Sequence, residues 1–400
     1  MAVNREERTA VLNQRRALKM ARSVHAYVRG NTAKFYEWLA VTDSAKAIPV
    51  GPPVWICGDC HLGNLGPVAD ADHHVDVQIR DLDQTVIGNP ALDLIRLGLS
   101  LETAARSSDL PGVTTARMIE GMVDGYQRAL TPQGCDDPTE PDVVKSVRRL
   151  AVGRRWKHLA RERIGDEEPT IPIGKRFWAL ARDERICIDA LFDEPEVHDQ
   201  ILALADLGAK GRVRVVDAAY WRKGCSSLGR LRYAVLLGVA KNKSAPEYLA
   251  LVDIKEAVPS VAPFDKDADM PRDPAERVLA GARALAPNLG DRMIATRLFG
   301  KPVVVRELAP QDLKIEVDQF SRSEAVAAAG YLAFVVGVAH ARQLTDEMRI
   351  SWRKQLAEDR ERNLEAPSWL WRSVIDLAAM HEAGYLEHCR QFAMGKLERR

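Results

Sequence analysis

The feature that most limits the possible folds is one β-rich block set between two helical regions. Apolar, β-type runs occupy residues 212–221, 231–240, 247–257, 292–300 and 302–308. A helix over about 273–286, announced by Asp273-Pro274, interrupts this block. The flanking regions show helical periodicity, except for two short β-like runs at Val54–Cys57 and Val75–Arg80. We therefore expect an α+β protein with one main sheet of five strands.

Length and composition are typical of a soluble globular protein. The chain has 400 residues, of which 46% are hydrophobic and 28% charged, and its formal net charge is +1. These values exclude disordered and collagen-like classes, and they give no reason to expect dedicated nucleic-acid binding. The charged N-terminus lacks the apolar core of a signal peptide, and no uninterrupted run of about 18 apolar residues occurs. We therefore expect a cytoplasmic protein without a membrane partner.

The loop after the first short run carries polar residues that suit phosphoryl transfer. It contains Asp59 and Asn64, and Asp81 follows at the end of the second short run. Phosphoryl transfer needs an aspartate that orients and deprotonates the acceptor hydroxyl. It also needs an amide oxygen and a second aspartate that hold magnesium against the phosphates. The same residue types favour turns, so a purely structural loop is the alternative.

Two cysteines in the same loop allow other interpretations. Cys57, Cys60 and His61 fit parts of a zinc site, a haem attachment motif or a redox pair. A zinc site lacks a second ligand pair at a familiar spacing, and haem attachment lacks an export signal. A redox pair needs a helix that begins at the second cysteine, which the following glycines and proline disfavour.

Two segments of this region resemble a known family. GDCHLGN at 58–64 and IRDLDQTVIGNPALDL at 79–94 resemble the catalytic and metal loops of the aminoglycoside-phosphotransferase and choline-kinase branch of the protein-kinase-like fold. That resemblance implies that Asp59 is the catalytic base and that Asn64 and Asp81 are magnesium ligands. It also implies that Asp93 is a buried structural carboxylate. Cys57 departs from the family pattern, which usually has histidine there.

A kinase-like fold also needs a glycine-rich turn over the phosphates and a lysine on a neighbouring strand. Gly224-Cys-Ser-Ser-Leu-Gly229 separates two predicted strands, and Lys255 lies within the next one. Backbone N–H groups of such a turn approach phosphate oxygens, and a strand lysine places a positive charge against them. The sequence therefore predicts a nucleotide site at Gly224, Ser226, Ser227, Gly229 and Lys255, with Lys255 also acting in catalysis.

Two further positions complete the predicted nucleotide site. Glu276, in the helix that interrupts the β-rich block, is expected to hold Lys255. The end of the last predicted strand resembles the hinge that binds adenine through backbone groups, which implies a role for Glu307 to Ala309.

These parts occur in an unusual order. The helix over about 323–342 resembles the one that, in ordinary kinase-like enzymes, ends just before the catalytic loop, yet here that loop lies near the other end of the chain. A fold tolerates circular permutation when its two chain ends lie close together in space. We therefore expect a circularly permuted, two-lobed protein-kinase-like fold. Its large lobe would comprise residues 1–205, its small β-rich lobe residues 211–310, and residues 311–400 would be helices that return to the large lobe.

This order also resembles a largely uncharacterised bacterial family of the kinase-like superfamily. The expected activity is ATP- and magnesium-dependent phosphoryl transfer to a hydroxyl of a small molecule or protein. A nucleotidyltransferase is one alternative, because Ser226 stands where kinases have a glycine. A regulatory module that binds a nucleotide without turnover is another. Acceptor pockets in such folds are built from variable helices, so the acceptor is left open.

Overall fold

The computed structural model shows a mixed α+β protein, as the sequence predicts. It describes residues 5–70, 72–132, 138–154, 170–204, 211–224, 228–242, 244–309, 311–313, 321–357 and 367–397. The helices are α1 (Arg5–Met20), α2 (Val24–Gly30), α3 (Thr32–Val41), α4 (Ala91–Ser107), α5 (Gly112–Ala129), α6 (Asp142–Gly153), α7 (Arg182–Asp193), α8 (Pro195–Leu204), α9 (Pro274–Leu285), α10 (Pro287–Gly290), α11 (Arg322–Ala341), α12 (Asp346–Ala357) and α13 (Ser368–Leu397). The strands are β1 (Val54–Ile56), β2 (Leu65–Ala69), β3 (Val75–Ile79), β4 (Val86–Gly88), β5 (Phe177–Trp178), β6 (Arg212–Trp221), β7 (Arg232–Ala240), β8 (Tyr248–Glu256), β9 (Met293–Leu298) and β10 (Lys301–Glu307).

Two small antiparallel ladders hold the candidate catalytic loop. β1 pairs with β4, and β2 pairs with β3. The loop 57–64 joins β1 to β2 and the loop 80–85 joins β3 to β4, so both loops run between the same two ladders. The Arg80 N–H donates to the Asn64 carbonyl at 2.7 Å, and the Thr85 hydroxyl donates to the Ile56 carbonyl at 2.6 Å. The two polar loops are therefore tied side by side.

The sequence predicted only two of these four short strands. β2 contains Gly66 and Pro67, which are typical of turns, and β4 has three residues. A proline is accepted here because β2 pairs on one side only, in a two-stranded ladder.

The main sheet has six strands among the described residues, in the order β5-β6-β7-β8-β10-β9, and all neighbours are antiparallel. Five of these strands match the predicted runs, and β5 is additional. α7 and α8 cover one face, where their side chains share a hydrophobic core with Val235, Val252 and Val303. We call this sheet with α7 and α8 the sheet lobe, and the body built on α4, α5 and α11 the helical lobe.

The boundary between the lobes differs from the one expected at residue 205. β5 belongs to the main sheet, and Ile188 of α7 and Ile201 of α8 lie in the core of the sheet lobe. Leu12 of α1 lies in the same core. The periodicity of these helices shows which side of each is apolar, but it carries no information on which lobe covers that side.

The strand register sets the face of the main sheet that meets the helical lobe. Arg232 lies opposite Lys255, and Arg306 lies opposite Asp253. Because side chains alternate between faces, these four residues share one face, while Tyr233, Val252, Ile254 and Val305 pack into the core on the other. The sheet therefore presents charged groups towards the helical lobe.

Helix α11 is long and apolar enough to cross a membrane by length and composition alone. In this fold 61% of its most apolar window is buried. Its alanines and valines lie in the core of the helical lobe, packed against α5. This position explains its composition and is consistent with a soluble protein.

Glycines allow α5 and α11 to cross at very short range. A Cβ atom on Gly125 of α5 would lie 2.0 Å from the carbonyl oxygen of Gly330 of α11. A Cβ atom on Gly337 would lie 2.7 Å from the Cβ of Ala129. Because the first clash is with backbone, no side-chain rearrangement relieves it. The crossing sets the position of the C-terminal end of α11, which reaches the candidate site.

Gly125→Ala should therefore destabilise the protein by about 1–3 kcal/mol, through forced separation of two packed helices. Gly112→Ala is the matched control, because it lies in the same helix with nothing within 4 Å of its added Cβ. We expect this control to leave stability unchanged or to raise it by up to about 1 kcal/mol. Urea unfolding followed by circular dichroism measures both, and equal midpoints for the two variants would contradict the close crossing.

Candidate active site

The loop 57–64 is fixed by the buried carboxylate of Asp93, in the first turn of α4. Asp93 accepts the N–H groups of Cys57 and Gly58 at 2.7 and 3.0 Å and lies 3.2 Å from Nε2 of His340. Gly58 has a φ of 71°, and a Cβ there would lie 2.2 Å from the Gln84 carbonyl oxygen. The expected structural role of Asp93 agrees with these contacts.

A chain of buried hydrogen bonds continues from Asp93. His340 lies within hydrogen-bond distance of two partners, since its Nε2 faces the Asp93 carboxylate and its Nδ1 lies 2.9 Å from the Tyr126 hydroxyl oxygen. Trp352 Nε1 donates to the same hydroxyl at 3.3 Å. Helices α4, α5, α11 and α12 thus all contribute to the support of one loop.

Asp59, the predicted catalytic base, follows Gly58 directly and is 9% exposed. Its Oδ1 accepts from Nε of the buried Arg96 at 2.9 Å, and it also receives a side-chain hydrogen bond from Thr32. Burial raises the pKa of Asp59, although Arg96 and Thr32 act in the opposite direction. Arg96 is itself anchored, because its Nη2 donates to the Val28 carbonyl at 2.7 Å. The Asp59 carboxylate is therefore held in one orientation.

The structure brings the two predicted metal ligands next to Asp59. Asn64 Nδ2 donates to the Asp59 carbonyl at 3.0 Å, which leaves the amide oxygen of Asn64 as an acceptor. Asn64, Asp81 and Asp83 together line two adjoining cavities of the cleft. Oxygen atoms of amides and carboxylates are the protein ligands that magnesium prefers, so this donor set fits that ion.

Lys255 lies in the same place, as predicted from its strand. Its Nζ is 3.0 Å from Oδ1 of Asp81 and 2.6 Å from Oδ2 of Asp83. Burial acts to lower the pKa of Lys255, but the two carboxylates outweigh it and raise that pKa. Burial likewise acts to raise the pKa of Asp81, but Lys255 holds it well below its usual range. Burial and the charge of Asp81 raise the pKa of Asp83.

The cavity between Lys255 and the glycine-rich turn is small and rich in positive charge. Its volume is about 130 Å³, below the range of about 300–1,000 Å³ for small-molecule sites. Its lining includes five cationic side chains and three carboxylates, namely Arg80, Lys223, Arg232, Lys255, Arg306, Asp81, Asp83 and Asp253. The charge of the lining favours a polyanion.

The glycine-rich turn borders this cavity through its first residue. Gly224 lines the cavity, and Gly224 and Gly229 have φ values of 95° and 96°, which favour glycine. Lys19 of α1 donates to the Gly224 carbonyl at 2.8 Å. Ser226 and Ser227, which the sequence placed at the phosphates, lie outside the described residues.

Glu276 does not occupy its predicted position beside Lys255. It is exposed on the first turn of α9, and the carboxylates within ion-pair distance of Lys255 are those of Asp81 and Asp83. The inward face of α9 carries the neighbouring Arg277, whose Nη2 donates to the carbonyls of Asp83 and Val258 at 2.7 and 3.0 Å. In this structure Glu276 is therefore not a partner of Lys255, and its neighbour Arg277 is the residue of this turn that contacts the loop 81–83.

The backbone of residues 307–309 is already bonded within the chain. Glu307 donates its N–H to the Arg292 carbonyl, and its own carbonyl accepts from Arg292 Nη1. The Leu308 N–H donates to the Leu251 carbonyl, and the Ala309 carbonyl accepts from the Asp312 N–H. Glu307 lines a different, small apolar cavity. Four backbone groups of this segment are thus engaged within the chain, and the adenine contacts expected of Glu307 and Ala309 stay a prediction.

The cysteine pair is a buried cluster that does not include His61. Atoms of Cys57, Cys60 and Asp93 lie within 4.8 Å of one another. A hydrogen bond to Cys60, together with burial, raises the pKa of the Cys57 thiol, so the metal-binding thiolate is disfavoured. Asp93 already accepts the two loop N–H groups described above. These contacts favour a packing role for the pair.

Comparison with known proteins identifies the chain by family. A family model described as "Uncharacterized protein conserved in bacteria (DUF2252)" matches residues 8–391. The chain belongs to the DUF2252 family. No curated protein and no solved structure matches it. The matched region of this DUF2252 protein spans the loop 57–64, the main sheet and the C-terminal helices, so both lobes belong to one family domain.

Sequence reasoning missed several residues of this DUF2252 site. Asp83 follows Asp81 by two positions in Asp-Leu-Asp, a spacing that signals a second carboxylate on the same loop. Arg96 lies one helical turn after Asp93. The roles of Tyr126 and His340 have no local signal, because their partners are distant in sequence.

Asp93→Asn tests the support of the loop. The amide keeps one acceptor oxygen but points an NH₂ group at a backbone N–H donor, so we expect a loss of about 1–3 kcal/mol of stability. Asp43→Asn, at a side chain that is 92% exposed, is the matched control and should change stability by less than about 0.5 kcal/mol. Urea unfolding of both variants gives the comparison, and equal stability would remove Asp93 from this role.

Proposed function

We propose that this DUF2252 protein is an ATP- and magnesium-dependent phosphotransferase with a circularly permuted, protein-kinase-like fold. The observation that carries the proposal is the meeting of Lys255 with Asp81 and Asp83, at 3.0 and 2.6 Å across the cleft. The lysine comes from the sheet lobe and the aspartates from the loop beside the catalytic loop. A strand lysine for phosphates and carboxylates for metal are the two halves of a phosphoryl-transfer site.

Each group then has one task. Asp59, held by Arg96, accepts the proton of the acceptor hydroxyl. Asn64 and Asp81 provide the oxygen ligands for magnesium, which, when bound, neutralises phosphate charge. Lys255 exchanges its carboxylate partners for phosphate oxygens, and the Gly224 turn covers the phosphates. Support for the activity comes from these groups, and the proposal does not rely on a binding site for the adenine ring.

The permuted order is supported by contacts at the end of α11. Gln343, two residues after α11, accepts the Trp55 N–H at 2.7 Å and donates to the Trp55 carbonyl at 3.1 Å. His340 reaches Asp93. The end of α11 thus lies against β1, where an unpermuted chain would pass from this helix into the catalytic loop.

Asp59→Asn tests the proposed base. Transfer should fall by on the order of a hundredfold or more, while the Kd of ATP with magnesium changes by less than about threefold, because Asp59 contacts the acceptor and not the nucleotide. The assay follows ATP consumption in a metabolite extract, and mass spectrometry of the products distinguishes phosphoryl from AMP transfer. Asp43→Asn is the control. Near-normal turnover of Asp59→Asn would exclude the residue from the mechanism.

The metal assignment predicts that ATP and magnesium bind together. Calorimetry in EDTA should show ATP affinity at least about tenfold weaker than in magnesium, because the phosphates and the protein oxygens share the ion. Asp81→Asn should reduce this dependence on magnesium, whereas Asp43→Asn should preserve it. ATP binding of the wild-type protein that is indifferent to EDTA would contradict the assignment.

A further inference from the structure

A second cavity adjoins the proposed phosphate site and shares three polar residues with it, Asn64, Asp81 and Asp83. These three residues line both cavities, and Asp59 lines only the second one. In phosphoryl transfer the attacking oxygen and the leaving nucleotide lie on opposite sides of the phosphorus atom. If the first cavity holds the nucleotide, the second is therefore the place of the acceptor.

The lining of this cavity carries two arginines besides the carboxylates of Asp59, Asp81 and Asp83. They are Arg16 of α1 and Arg230, which follows the glycine-rich turn. Among the described residues, the only hydrogen bond of the Arg16 guanidinium is to the Gly30 carbonyl, at 3.0 Å, and none is formed by the Arg230 guanidinium. Neither arginine is paired with Asp59, Asp81 or Asp83. Two cationic groups thus border the cavity with donors to spare.

The first turn of α3 adds backbone donors to the same lining. Thr32 and Ala33, the first two residues of this ten-residue helix, line the cavity. Their N–H groups have no partner within the helix, because the first turn of any helix leaves such donors free. The positive end of the helix dipole therefore adds to the field of the two arginines.

Helix α1 is fixed in place over this cavity. A Cβ on Gly229 would lie 3.2 Å from Oδ1 of Asn13, and Lys19 donates to the Gly224 carbonyl. Asn13, Arg16 and Lys19 follow each other at intervals of three and lie on one side of α1, facing the turn. Arg16 is thus positioned by contacts on both sides of it along the helix.

We propose that this cavity binds the acceptor and that the acceptor carries an anionic group, a phosphate or a carboxylate, which Arg16, Arg230 and the first turn of α3 recognise. The inference rests on the proposed phosphotransferase activity and names its substrate class. The reactive hydroxyl lies beside Asp59.

The step balances with these groups. The acceptor hydroxyl gives its proton to the Asp59 carboxylate, and its oxygen forms a bond to the γ-phosphorus of ATP. The bond between that phosphorus and the β,γ-bridging oxygen breaks, and ADP leaves with the electron pair. The product is an acceptor that carries one additional phosphate.

Inorganic phosphate is the probe for the anion subsite. Titration calorimetry of the full chain at constant ionic strength should show phosphate binding that Arg16→Gln and Arg230→Gln each weaken by about tenfold, the loss expected for one charged hydrogen bond. Arg22→Gln, an exposed position just after α1, is the matched control and should leave the affinity unchanged.

Three results would overturn the subsite: no phosphate binding, equal affinity in the wild type and both arginine variants, or competition by a non-hydrolysable ATP analogue with magnesium. The last of these would assign the anion to the nucleotide site. An analogue that fails to bind would count against the proposed activity, while the phosphate titration would still report on Arg16 and Arg230.

Where transfer is observed, the acceptor should come from the fraction of a metabolite extract that anion exchange retains. An acceptor from the unretained fraction would contradict the proposed substrate class.

Discussion

The buried carboxylate of Asp93 is the constraint on which the candidate site depends. A buried charge is costly unless it is fully hydrogen bonded, and Asp93 finds its hydrogen-bond partners in the loop backbone and in His340. His340 in turn is held by Tyr126, and Tyr126 by Trp352. The position of Asp59 thus follows from helices that come from both halves of the chain, and the loop has little freedom to adopt another conformation.

At the cleft, the two lobes meet through charged groups that a ligand can re-pair. Lys255 of the sheet lobe and Arg277 of α9 bind the loop 81–83, and Arg306 donates to the Arg80 carbonyl. Under the proposed function, phosphate and a divalent cation would bind to the same lysine and carboxylates.

The sequence predicted the positions of those residues that belong to short, local sequence motifs. The loop with Asp59 and Asn64, the Asp81 that follows a strand, and the lysine within a β-type run all lie where their motifs placed them. The sequence predictions failed for residues whose position depends on how their helix or strand packs against the rest of the protein. Glu276 and Arg277 are adjacent in sequence, and only the contact of α9 with the rest of the protein decides which one faces the loop. Glu307 ends a correctly predicted strand, and Arg292 and Leu251 bond the backbone groups around it.

The order of elements has a consequence for the N-terminal helices. The loop 57–64 follows α1 to α3, and Val28 of α2 and Phe35 of α3 already lie in the core of the helical lobe. Helix α1 bridges the lobes: Leu12 packs in the core of the sheet lobe, Lys19 binds the glycine-rich turn, and Arg16 binds Gly30, just before α3. Arg8 adds a buried ion pair to Glu184 of α7, with an Nη1–Oε1 distance of 2.7 Å. Because α1 is bound to both lobes, it forms part of the wall of the cleft. Its side chains therefore help to determine which ligands the cleft binds.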